Sequence, residues 1–287
     1  MSMELLGFLA EDSVVAALRA AGCVYPEDEA AILCEAAGTS EELARMLAHR
    51  VAGFPLECIV GWAGFRGLRI AVAAGVFVPR RRTEFLVERA VAVLRSGDRA
   101  PGSSPPRLPI VLDLCCGSGA VGAALVHERG ALELHAADID PAAVACAARN
   151  LKALKGHAHC GDLFLAIPSR LRGKVDVIVA NAPYVPTAEI AFMPAEARLH
   201  EPDAALNGGV DGLEIQGRIA AQAPAWLRPG GSLLMETSTR QAAASAGIMV
   251  AHGFSVTIAH SEDLDGTVVT GCGPSLAATV HKPRESG

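Results

Sequence analysis

Val111-Leu112-Asp113-Leu114-Cys115-Cys116-Gly117-Ser118-Gly119-Ala120-Val121-Gly122 reads as a buried strand that passes through a glycine turn into a helix. Glycine lets the chain reverse tightly and lets another molecule approach the backbone closely. On either side of this stretch, strand and helix patterns alternate. Strands are expected at 110–114, 132–137, 157–159, 175–180 and 232–237, and helices at 120–128, 141–154, 212–225 and 240–252. Two further strand-like runs lie between 254 and 280. Alternation of this kind predicts an α/β domain, a mostly parallel sheet with helices on both faces. Ligands of such sheets bind at the carboxyl ends of the strands.

Upstream the texture differs. Segments 13–21, 26–37 and 41–51 carry apolar residues at three- and four-residue spacing, the helical period. Thr39-Ser40-Glu41-Glu42 fits a helix start, and Gly53-Phe54-Pro55 a stop. Residues 58–65 and 68–72 flank Arg66-Gly67 as the arms of a β-hairpin. Thr83 is expected to cap a helix reaching about residue 94. The Gly-, Pro- and Ser-rich segment 96–106 reads as a flexible loop or insertion. The expected organisation is a small helical N-terminal domain (1–55), a β-hairpin linker (56–82) and the α/β domain (83–287).

The chain has 287 residues, 51% of them hydrophobic, enough to bury a core. No apolar run reaches the roughly 18 residues of a membrane span. The first residues lack the basic region of a signal peptide, so a cytoplasmic protein is expected. The formal net charge of -6 counts against binding nucleic acid through phosphates. The one dense basic run, Arg80-Arg81-Arg82, reads by itself as a solvated loop. The eight cysteines form no Cys-x-x-Cys pair, and disulfides are not expected. His157-Ala158-His159-Cys160 has no second ligand pair at zinc spacing, so no metal is expected.

The second strand of the alternating region ends Ala136-Ala137-Asp138-Ile139-Asp140-Pro141. An acid there can accept from both hydroxyls of a ribose, as it would in a dinucleotide domain. Asp113 separates the two cases. A carboxylate beside the glycine turn repels a pyrophosphate but suits a cation, such as the ammonium and sulfonium of S-adenosylmethionine. That donor is the expected cofactor, held by Asp113, Cys115, Gly117, Gly119 and Asp138. Asp113 could equally brace the turn through backbone amides. Farther on, Asp162 either accepts from an adenine amino group, with Leu163 packed on the ring, or is a plain turn residue. The strand at 175–180 stops at Asn181-Ala182-Pro183-Tyr184, which sets an amide and a flat ring at the sheet's edge. These suit a planar nitrogen acceptor. A turn residue and a core ring are the alternatives.

Together Asp-Leu-x-x-Gly-Ser-Gly, Asp-x-Asp-Pro, Gly-Asp-Leu-Phe and Asn-Ala-Pro-Tyr resemble the class I S-adenosylmethionine methyltransferases that act on planar nitrogens. Phe77-Val78-Pro79-Arg80-Arg81-Arg82-Thr83-Glu84, Pro55-Leu56-x-x-Ile59-x-Gly61, His200-Glu201-Pro202 and Asp211-Gly212-Leu213 resemble one branch of these, the HemK/PrmC-type protein-(glutamine-N5) methyltransferases. The resemblance implies a seven-stranded Rossmann-like sheet and a release factor, or a similar protein, as partner. It also implies that the helical domain docks that partner. Asn181, Ala182, Pro183 and Tyr184 would be the catalytic motif, with Asn181 also near the cofactor. The Asn181 side-chain oxygen and the carbonyl of residue 182 would accept the two N–H groups of a glutamine amide, and Tyr184 would stack on it. Glu201 would line the substrate side, Arg80 to Arg82 could help position groups, and Glu236 reads as structural. Ala182 and Arg81 stand where the family has Pro, which marks a divergent relative. An adenine amino-group methyltransferase and a binding-only relative are the competing readings.

Overall fold

The computed structural model describes residues 11–97 and 107–274. Helices α1 (Glu11–Ala20), α2 (Pro26–Ala36) and α3 (Ser40–Val51) pack around Val14, Leu18, Ala30, Leu33 and Leu43. The start of α3 is a reciprocal cap. Thr39 Oγ1 accepts from the Glu42 amide at 3.1 Å, and the Glu42 carboxylate accepts from the Gly38 amide at 2.9 Å.

Helix α4 (Leu56–Val60) follows, where a strand was expected from residue 58. Pro55 presets the first turn, and Gly61, at φ 78°, ends it in the left-handed conformation. The hairpin itself is shorter than expected, β1 (Trp62–Phe65) against β2 (Leu68–Ala71). Its two turn residues, Arg66 and Gly67, both have positive φ, 49° and 73°. A two-residue hairpin turn of the matching twist needs that conformation. The cost at Arg66 is offset by its guanidinium, which is paired with Glu88 and Glu128.

A 3₁₀ turn (Arg81–Thr83) leads into α5 (Glu84–Gly97). Thr83 therefore ends the turn instead of capping the helix, and its hydroxyl faces the site described below. Most of the expected loop at 96–106 lies outside the described residues.

The α/β domain continues through β3 (Ile110–Leu114), α6 (Ala120–Arg129), β4 (Glu133–Asp138), α7 (Pro141–Leu151), β5 (His157–Cys160) and β6 (Val175–Ala180). After β6 come α8 (Ala195–His200), α9 (Asp203–Leu206), α10 (Glu214–Gln222), β7 (Leu227–Thr237), α11 (Ala242–Ala251), β8 (Ser255–Ser261) and β9 (Gly266–Cys272). The seven strands lie in the order β5-β4-β3-β6-β7-β9-β8, and only β9 runs against its neighbours. Helices α5, α6 and α7 bury Leu86, Leu125 and Ala147 with Val111, Val177 and Leu234 on one face. Helices α10 and α11 bury Ile219 and Met249 with Leu112, Ile178 and Met235 on the other. Five consecutive residues of β3 are buried, which explains its unbroken apolar run. From β3 the chain winds outward to β5 and then returns to β6 on the opposite side. The winding reverses between β3 and β6, and their carboxyl ends part to leave a crevice.

Candidate active site

The crevice is a cavity of about 270 Å³. Its floor is the turn after β3. Cys115, Gly117 and Gly119 all have positive φ there, 56°, 52° and 76°. A left-handed cysteine is uncommon, and so is the left-handed Leu163 at φ 47° across the cavity. Two of the five left-handed non-glycine residues among those described thus sit on the cavity wall, and such strain is a frequent mark of a functional site.

The three structural glycines serve different ends. Gly117 lines the cavity, and its amide donates to Asp138 Oδ2 at 2.9 Å. Gly119 does not line it. A Cβ there would stand 3.1 Å from Ala147 Cβ, so Gly119 lets α7 close on the turn. Gly122 would put a Cβ 2.9 Å from Leu134 Cδ2 and 3.1 Å from Asp113 Oδ2, so it lets α6 close on the sheet.

Asp113 is 2% exposed, and its Oδ2 accepts from the Gly122 amide at 2.9 Å. Burial pushes its pKa up to about 7, against the pull of that amide and with a further push from Asp138. The bracing role raised from the sequence is therefore present, and the residue also lines the cavity. Asp138 bridges the Gly117 and Asp140 amides, and burial raises its pKa as well. Asp140 caps α7 by accepting from the Ala142 amide at 2.8 Å. The Asp162 carboxylate pairs with Arg218 of α10 instead of capping its own turn. Ile139, which the sequence reading passed over, is 58% exposed and lines the cavity beside Asp138.

At the other end Asn181, Ala182, Pro183 and Tyr184 leave the tip of β6 and line the same cavity. Asn181 Nδ2 donates to Thr83 Oγ1 at 3.2 Å. Ala182 is 1% exposed and packs in the core shared with Ile219 and Ala220. The Tyr184 hydroxyl donates to Glu236 Oε1 at 3.3 Å, and burial first, then Glu236, raises its pKa. Arg82 lies 6.0 Å from the Tyr184 ring centre and 3.5 Å from Glu236 Oε1.

Two buried carboxylates flank this motif. Glu201 Oε1 accepts from the Val78 amide and from Arg80, and Glu236 ends near Tyr184 and Arg82. Among the described residues, the second oxygen of each is buried without a hydrogen-bond partner. Burial raises both pKa values, and the arginines oppose it. Arg80 and Thr83 thus turn inward, and Arg82 reaches Glu236 while its side chain stays 45% exposed, where the sequence alone suggested a solvated basic loop.

The cavity wall fits a nucleoside-bearing cation. It offers carboxylates at Asp113 and Asp138, apolar surface at Ile139 and Leu163, and a glycine turn between them.

The sequence model of the methyltransferase small domain matches residues 105–211, the segment that builds most of this cavity. The chain is 37% identical over 196 residues to the release factor glutamine methyltransferase of Streptomyces coelicolor, covering 68% of this chain and 67% of that one. It is 39% identical over 224 residues to the protein of the same name from Cereibacter sphaeroides, covering 77% and 74%. Its fold is similar to that of a methyltransferase from Pyrococcus furiosus, with a TM-score of 0.51 and 17% identity over 82% of this chain and 100% of that one.

Proposed function

This chain belongs to the family of release factor glutamine methyltransferases, and from that membership we propose that it methylates the side-chain nitrogen of a glutamine in a release factor. S-adenosylmethionine supplies a methyl group activated by the positive sulfur. Asp138 would hold the ribose hydroxyls, Asp113 would face the cationic end, and Ile139 and Leu163 would flank the base. Asp162, already paired with Arg218, would sit at the base's edge.

The rest of the work falls to the tip of β6. An amide nitrogen is a poor nucleophile because its lone pair is delocalised into the carbonyl. Asn181 Oδ1 and the Ala182 carbonyl would accept its two N–H groups, which orients the lone pair and enriches it. Tyr184 would cover the flat face of the amide. The new N–C bond would form as the C–S bond breaks and leaves its electron pair on the sulfur, and the nitrogen would then lose one proton to water. Positioning of this kind is worth up to about 7–11 kcal/mol in favourable cases. The observation that carries the reading is the Asn181 to Thr83 hydrogen bond at 3.2 Å, which ties down the nitrogen end of the side chain. Ala182 keeps the backbone carbonyl that the family's Pro would offer, and Pro183 restrains its conformation.

In this reading residues 1–55 dock the protein partner, 56–82 link, and 83–287 carry out the transfer. A release factor acts where proteins are synthesised, so the proposed partner supports a cytoplasmic enzyme. The charge of -6 argues against a nucleic-acid acceptor.

Labelled S-adenosylmethionine tests the reading when it is incubated with purified release factors, total cytosolic protein and nucleic acid in separate reactions. Label in a release factor glutamine is expected, and label in nucleic acid alone would overturn the proposal. Asn181→Ala is expected to lower kcat by roughly 10²–10³-fold. Full turnover with cofactor affinity unchanged would refute the amide clamp.

A further inference from the structure

We infer that Gln241 is a positioning residue for Tyr184: its side-chain NH₂ ties the Tyr184 carbonyl to the Asp211 carbonyl, which sets the Tyr184 ring over the acceptor amide. The inference rests on the methyl transfer proposed above and says what holds its Tyr184 in place.

Strand β6 pairs with its neighbours as far as Ala180. Asn181 to Tyr184 lie beyond that point, so the sheet does not fix their backbone. The chain that follows is held from outside the sheet. Val185 donates to the Leu206 carbonyl at 3.0 Å and accepts from the Gly208 amide at 2.9 Å. Residues 207–212 then fold back against the motif. A Cβ on Gly212 would overlap the Tyr184 carbonyl oxygen, so a glycine is what lets this loop lie so close.

Two carbonyl oxygens, those of Tyr184 and Asp211, meet at one point there, and neither can donate. Gln241 joins them. Its Nε2 donates to the Tyr184 oxygen at 2.9 Å and to the Asp211 oxygen at 3.1 Å. The Ser238 hydroxyl donates to its Oε1 at 2.6 Å and accepts from its backbone amide at 3.2 Å. Both N–H groups and the oxygen of the side chain are thus engaged. Turned over, the side chain would point its oxygen at two carbonyls, so its orientation is fixed. Gln241 is 8% exposed and stands at the start of α11, whose Ala242 and Met249 are buried against the sheet. Its base is therefore rigid. At the far end of Tyr184 the hydroxyl donates to Glu236 Oε1 at 3.3 Å. Tyr184 is held at both ends, its backbone by Gln241 and its hydroxyl by Glu236. Gln241, Ser238 and Asp211 do not line the cavity, so they reach the acceptor only through Tyr184.

The test uses the full-length protein. Tyr25 and Tyr184 are its two tyrosines. Protein grown on isotopically labelled tyrosine therefore gives one carbonyl resonance and one set of ring resonances for each, and Tyr184→Phe assigns them. Gln241→Met keeps the reach and removes both donors. Gln241→Glu keeps the shape and sets oxygens against the two carbonyls. Both are expected to move the Tyr184 carbonyl and ring resonances and to leave those of the exposed Tyr25 in place. With purified release factor, both are expected to lose roughly 10–10²-fold in kcat while binding S-adenosylmethionine with unchanged affinity by calorimetry. That binding also reports that they fold. Ser238→Ala is the milder change, removing only the donor to Oε1. It is expected to move the same resonances less and to cost less in kcat, and it carries the test if the Gln241 variants do not fold. A merely structural role would lower the unfolding midpoint without moving Tyr184. Tyr184 ring resonances that stay in place in the variants that fold, or wild-type kcat in Gln241→Met, overturn the inference. If wild-type protein labels no release factor, the functional reading fails, and the resonances alone decide whether Gln241 positions Tyr184.

Discussion

Asp113 shows how much the chemistry of this cavity depends on one buried proton. Its pKa of about 7 lies above its ordinary 3.8, with burial as the main cause. A raised pKa in the folded state means that the native protein holds the proton more tightly than the unfolded chain does. The stability it confers is complete below pH 3.8 and is lost as the pH climbs through about 7. Asp113→Asn can still accept from the Gly122 amide, so it removes the titration without removing the brace. Urea unfolding at pH 5 and pH 8 is expected to show a falling midpoint in the wild type and a smaller fall in Asp113→Asn. An equal fall in both would show that the group is not the one titrating. The sequence pointed to Asp113 because a lone carboxylate in an apolar strand has few reasons to be there. It did not reveal the partners of Thr83 or Glu236. Thr83 precedes a helical pattern and so looks like a cap, and its partner Asn181 lies 98 positions away, a pairing no local pattern encodes.

At the scale of elements, the close approach of α6 to the sheet decides whether the glycine turn can hold its shape. Gly122 is in the first turn of α6, where its amide reaches Asp113 and its missing side chain leaves room for Leu134 of β4. Leu134 is 1% exposed and has nowhere to retreat. Gly122→Ala gains helix propensity but overpacks this contact, and the second effect is the larger. A loss of about 1–3 kcal/mol is expected by chemical denaturation, with weaker S-adenosylmethionine binding as α6 shifts away from Asp113. Stability equal to wild type would show that the helix can move out freely. Existence and type of the long elements were legible because period-2 and helical patterns survive wherever a face is buried. Short elements were not. Leu56–Val60 is apolar enough for a strand, yet it forms one helical turn between Pro55 and the left-handed Gly61. Helices α8 and α9 follow Pro194 and Pro202 in a segment with too few residues to show a period.

At the scale of the whole molecule, the helical N-terminal unit reaches the cavity through α8. The Arg50 side chain is 12% exposed, donates twice to Glu29 of α2 and once to the Phe54 carbonyl, and reaches Glu196 of α8 at 3.1 Å. Phe54 packs on His200 at the end of α8, with ring centres 4.2 Å apart. The next residue is Glu201, which meets Arg80 at the cavity wall. A domain proposed to dock the protein partner is therefore coupled mechanically to the segment proposed to line the acceptor. The motifs begin only at Pro55, and the Arg50–Glu196 contact spans 146 positions and has no signature in either segment. Arg50→Met keeps much of the apolar stem while stranding Glu29, whose side chain is 13% exposed. Removing one member of a fully buried pair costs about 3–5 kcal/mol, and less is expected here because Arg50 and Glu29 are only part-buried and Glu196 is more open to water still. If the junction sets where the partner sits, Arg50→Met raises KM for the release factor while kcat and S-adenosylmethionine affinity change little. A fall in kcat at unchanged KM would instead mean that the junction shapes the cavity and that docking lies elsewhere. Phe54→Ala separates the two further. It loosens the same junction without stranding a charge, so its KM is expected to rise with a smaller loss of stability than Arg50→Met shows.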